Sequence, residues 1–179
     1  MAGVSIGAVR ASSVQPGDTV LIIGMGLVGN FAAQLFRMAG ADVMVADLSD
    51  LRLQKGRECG IEATVNSGQE DLEDAVMAWT DGKGARIVVE AIGISEVICE
   101  VALLTRQYGE LILLGSPRAR TTIDVTPMLL HIHLEAIRMI GALEWRWPSH
   151  ESGRHRSLLD NYRQILDWIA EGRLITDPL

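Results

Sequence analysis

Residues 19–39 read TVLIIGMGLVGNFAAQLFRMA, and they limit the fold more than any other part of the chain. Thr19–Ile23 is short, β-branched and apolar, bounded by the turn residues Gln15-Pro16-Gly17-Asp18, and reads as a buried strand. Gly24, Gly26 and Gly29 follow in the order G-x-G-x-x-G. Apolar residues then recur at Phe31, Leu35 and Met38 with a helical period, and Gly40 ends the helix as a left-handed cap. A small-residue-rich segment, 2–12, precedes all this as a short helix.

The same alternation repeats. Strands are expected at 42–47 (DVMVAD), 63–65, 86–90 (RIVVE), 110–114 (ELILL) and 136–143. Helices are expected at 49–59, 70–79, 95–104 and 126–133. An amphipathic helix over 158–171 closes the chain, with Leu158, Leu159, Tyr162, Ile165, Leu166 and Ile169 on one face. Strands alternating with helices of this length predict βαβ units, a parallel sheet and right-handed crossovers with helices on both faces. No domain linker interrupts residues 1–179, so a single domain is expected. The least regular stretch is 144–156 (EWRWPSHESGRHR).

Composition narrows the class further. The chain has 179 residues, 48% hydrophobic and 22% charged, with a formal charge of −7. That balance is globular and argues against a nucleic-acid partner; the short basic cluster Arg154-His155-Arg156 reads as a solvated loop. Cys59 and Cys99 form no C-x-x-C and are expected to be buried, reduced thiols. No signal-peptide pattern opens the chain and no apolar run is long enough for a membrane span, so a cytoplasmic protein is expected.

G-x-G-x-x-G alone is a weak signal, and a ligand-free bend is its alternative. Its context is stronger: it follows a strand, opens a helix, and is followed about 20 residues on by an acid, Asp47, that ends the second strand. Gly24 then allows the tight turn, Gly26 leaves room for a pyrophosphate, and Gly29 lets helix and strand approach. The helix N-terminus offers free N–H groups to phosphate oxygens. Asp47 is placed to accept from both ribose hydroxyls. A 2′-phosphate there would meet a like charge, which favours NAD over NADP. Arg52 reads either as a contact to the adenosine ribose or as a solvated helix charge. Glycines also follow later strands, in Ala91-Ile92-Gly93 and Leu114-Gly115-Ser116, where ligands of open α/β sheets sit.

Groups for chemistry are scarce. His131 and His133 diverge on a helix, so a metal trio with Glu135 is disfavoured. His150 and His155 have no neighbouring ligands, and Tyr108 and Tyr162 lack a Lys four residues on. No catalytic residue and no metal ligand is assigned.

Taken in order, these segments resemble the medium-chain, zinc-type alcohol dehydrogenases. Residues 15–29 (QPGDTVLIIGMGLVG) are similar to that family's segment around the first strand, and 47–53 (DLSDLRL) to its segment after the second. Residues 89–93, 109–115 and 172–175 continue the likeness. The resemblance implies a Rossmann fold, a doubly wound six-stranded parallel sheet in the order 3-2-1-4-5-6. It also implies NAD on Gly24, Gly26, Leu27, Val28, Gly29, Asp47 and Arg52, with Ala91, Ile92, Gly93, Leu114, Gly115 and Ser116 along the nicotinamide half. By the same resemblance, zinc and the alcohol or carbonyl substrate belong to a catalytic domain that these residues do not include, and a homodimer pairs strand 138–143 across a two-fold axis. Two other readings of the glycine turn stay open: a stand-alone NAD-sensing module, and a methyltransferase.

Overall fold

The computed structural model describes residues 1–150 and 157–179. Among the described residues the strands are β1 (Thr19–Ile23), β2 (Asp42–Asp47), β3 (Ala63–Asn66), β4 (Ala85–Glu90), β5 (Thr105–Leu113) and β6 (Arg138–Gly141). The helices are α1 (Ala2–Ala11), α2 (Leu27–Met38), α3 (Asp50–Glu58), α4 (Leu72–Trp79), α5 (Ser95–Val101), α6 (Thr126–Leu134) and α7 (Leu158–Ala170). All strand pairs are parallel, in the order β3-β2-β1-β4-β5-β6. This is the doubly wound Rossmann arrangement expected from the sequence.

The strands are apolar on both faces because both faces are covered. Val20, Ile22, Val45, Ile87 and Val89 point to one side and pack with Ala8 of α1, Phe36 of α2 and Leu53 of α3. Leu21, Met44, Val88 and Leu111 point to the other and pack with Val76 of α4 and Ile98 of α5. A third cluster joins Ile6 of α1, Phe31 and Leu35 of α2, and Ile165 of α7. The C-terminal helix therefore lies outside the α1–α2 layer and does not touch the sheet core.

Several expectations need correction. β5 starts at Thr105 rather than at 110, because Tyr108 at φ 57° and the crowded Gly109 make a bulge inside the strand instead of a turn before it. β6 is shorter than 136–143, since Ala136 sits at φ 51°, which a strand does not accommodate. The helix over 95–104 ends at Val101 and finishes as a 3-10 turn. The face of α7 is only partly buried: Leu158 and Ile165 are covered, whereas Leu159, Tyr162 and Leu166 are exposed. Cys59 is buried but Cys99 only half-buried. Arg154-His155-Arg156 lie outside the described residues.

A candidate dinucleotide cleft at the carboxyl ends of the strands

The glycine turn is built as its spacing suggests. Gly24 leaves β1 at φ +92°, a conformation that favours glycine, and its N–H donates to the Ala46 carbonyl. A Cβ on Gly29 would overlap the Gly24 carbonyl oxygen, so the first turn of α2 lies directly against the end of β1. Gly26 is different. It caps α2 with extended backbone, and a Cβ there would find nothing within 4 Å. The open space over Gly26 faces the α2 N-terminus, which no side chain caps. Leu27 is exposed beside it, and Val28 packs against the core. Uncapped first-turn amides and a positive helix end form a cradle for a phosphate group.

Asp47 ends β2 and is buried. Its Oδ2 accepts from the Met25 amide at 2.7 Å, and its Oδ1 accepts from the Ser49 amide at 2.9 Å. The Arg52 guanidinium stands 3.5 Å from Oδ2 and is largely solvent-exposed. One carboxylate thus ties the glycine turn to the start of α3, with its remaining lone pairs facing a cleft of about 730 Å³. Asp47, Ser49 and Arg52 stand in the wall of that cleft, with Leu48 and Ile92 as exposed apolar flanks.

The later strand ends are held by Glu90, which the sequence reading left unassigned. Its side chain is wholly buried. Oε1 accepts from the amides of Ile92 and Gly93, at 2.7 and 2.8 Å. Its backbone carbonyl accepts from Leu114 and Gly115, at 2.9 and 2.8 Å. Burial pushes the Glu90 carboxyl up, against the pull of the Gly93 and Ile92 amides. The signal for this role was present, because an acid closing a buried parallel strand must find donors, and the amides of the next turn are nearest.

Gly93 is at φ +83°, and Cβ atoms on Gly93 and Gly115 would run into Ser116 and Gly93 backbone respectively. The two turns therefore touch with no side chain between them. Ile92 reaches the cleft, Ala91 packs against the core, and Ser116 is exposed. Leu114 does not face outward; its side chain is buried with Ile112 in the core.

Among the described residues no group of three His, Cys, Asp or Glu side chains is arranged to hold a metal ion. The His131 ring nitrogen Nε2 lies 2.9 Å from the Thr105 carbonyl oxygen. Among the described residues a zinc ion has no fitting ligand set. Nor is any helix among the described residues long and apolar enough to cross a membrane.

This strand order, with a glycine turn after β1 and an acid closing β2, defines a Rossmann-type α/β domain. A family model described as zinc-binding dehydrogenase matches residues 28–151. The chain belongs to that family. It is 32% identical over 105 residues to a sorbitol dehydrogenase of Halalkalibacterium halodurans, covering 58% of this chain and 31% of that one. Its fold matches a benzyl alcohol dehydrogenase from Acinetobacter calcoaceticus with a TM-score of 0.83 at 22% identity, over 99% of this chain and 46% of the other. It also matches a zinc-binding dehydrogenase of Sinorhizobium meliloti, solved bound to NADP, with a TM-score of 0.79 at 23% identity, over 98% and 48% of the two chains. The chain spans less than half the length of each of these proteins.

Proposed function

We propose that these 179 residues bind NAD as the cofactor-holding half of an alcohol or polyol dehydrogenase. In the complete protein, hydride passes between the substrate carbon and the nicotinamide ring that the cofactor supplies. The observation that carries the reading is the open cradle at Gly26, joined through the Met25 amide to the Asp47 carboxylate. The α2 N-terminus takes the pyrophosphate, Asp47 accepts from the ribose hydroxyls, and Arg52 lies along the ribose. The paired turns at residues 91–93 and 114–116, held by Glu90, support the nicotinamide end. Asp47 opposes a 2′-phosphate by like charge, which supports NAD over NADP.

Substrate groups and zinc then belong to residues outside this chain. That division is supported by the absence of a fitting ligand set among the described residues and by the chain's partial span of its relatives. Accordingly, the chain alone binds cofactor and turns over no alcohol. A homodimer through the exposed β6 edge, with a cytoplasmic setting for two unpaired thiols, completes the reading. Hydrogen exchange tests the site: NAD should slow exchange of the amides at residues 26–29 and 47–52. Unchanged exchange there contradicts the assignment.

A further inference from the structure

We propose that Glu100 selects the base of the dinucleotide, accepting a hydrogen bond from the 6-amino group of adenine and disfavouring a 6-oxo purine. The inference rests on the dinucleotide reading above and deepens it. The cleft is chemically divided. Asp47, Ser49 and Arg52 supply its polar end, at the carboxyl end of β2 and the start of α3. The wall contributed by α4 and α5 is apolar at Leu72, Val97 and Val101. Val97, Glu100 and Val101 stand at i, i+3 and i+4, which places them on one face of α5. Glu100 is the charged residue lining the cleft from that face, and among the described residues its carboxylate makes no hydrogen bond or ion pair.

A base whose ribose sits at Asp47 passes between Leu48 and Ile92 and turns its edge toward α5. There a carboxylate offers acceptors only. With its N6/N7 edge toward α5, adenine presents an amino donor, whereas a 6-oxo purine presents the O6 and N7 acceptors on that edge, so acceptor would face acceptor. An acid placed on an otherwise apolar wall therefore reads the base.

The test titrates the 179-residue chain calorimetrically with NAD and with nicotinamide hypoxanthine dinucleotide, which carries oxygen in place of the 6-amino group. The wild-type chain should bind NAD about fivefold or more tightly than the analogue, the scale of one charge-assisted hydrogen bond. In Glu100→Ala, and in Glu100→Gln, whose amide offers a donor as well as an acceptor, the ratio should fall below about twofold. A wild-type ratio near one, or a ratio unchanged in Glu100→Ala, overturns the proposal and leaves the dinucleotide reading standing. Absence of binding by either dinucleotide overturns both.

Discussion

Asp47 Oδ2 accepts a hydrogen bond from the Met25 amide at 2.7 Å, and so the acid that ends β2 also fixes the backbone inside the glycine turn. The same carboxylate therefore serves the folded chain and the proposed ligand. Asp47→Asn should separate these roles. It keeps one acceptor for a backbone amide but loses the charge, so stability should fall by about 1–2 kcal/mol. NAD should bind about tenfold more weakly, while NADP should lose less or gain. Urea unfolding and calorimetry on the same samples check both parts.

Gly26 and Gly29 should fail in different ways. A Cβ on Gly29 meets the Gly24 backbone, which has no flexible group to give way, so Gly29→Ala should cost about 3 kcal/mol or more and lower the melting temperature sharply. A Cβ on Gly26 meets nothing, and its backbone suits any residue. Gly26→Ala should change stability by about 1 kcal/mol at most, the scale of an N-cap substitution, yet weaken NAD binding because the methyl enters the phosphate space. Equal losses of stability in the two variants would contradict this account.

Glu90 gives a pH signature. Burial raises its carboxyl from the ordinary 4.5, so the folded chain keeps this proton to higher pH than the unfolded chain does. Its contribution to stability is fully present below the ordinary value and is lost as pH rises through the folded-state value. Glu90→Gln keeps an oxygen toward the Ile92 and Gly93 amides but does not ionise. The stability of the variant relative to wild type should therefore rise with pH above about 4.5 and then level off. Denaturant unfolding over a pH series checks this, and a difference that stays flat contradicts it.

The parallel βαβ alternation, the glycine turn and the Asp47 position were legible because each rests on local pattern: apolar strands, turn glycines and a closing acid; the strand order came with the family resemblance. What escaped the sequence depends on contacts between distant segments. Residues 110–114 look like the whole of their strand, and only pairing with β4 carries β5 back through the bulge at Tyr108-Gly109 to Thr105. The apolar face of α7 predicts burial, but the helix packs its core-facing side on the α1–α2 layer and leaves Leu159 and Leu166 exposed. The Leu114 side chain turns into the core by strand alternation, so what its turn offers a ligand is backbone. Met25 gains its role from a hydrogen bond across strand ends, which no spacing rule reports, whereas the Glu90 bonds to the Ile92 and Gly93 amides are local and follow from an acid closing a buried strand.

The β6 edge predicts self-association. Arg138 and Met139 are exposed on the last strand of the sheet, and Leu129, Leu130 and Leu134 of α6 are also exposed. Sedimentation at high micromolar concentration should show a dimer. Met139→Pro, which removes an edge N–H and disfavours pairing, should shift it to monomer. A monomeric wild-type chain contradicts the proposed interface.

The central claim is most directly tested by calorimetric titration of the chain with NAD, NADP and S-adenosylmethionine. The account predicts saturable NAD binding, tighter than NADP, that weakens about tenfold or more in Asp47→Ala, and no binding of S-adenosylmethionine. Binding of S-adenosylmethionine alone, or NAD binding indifferent to Asp47→Ala, would contradict it.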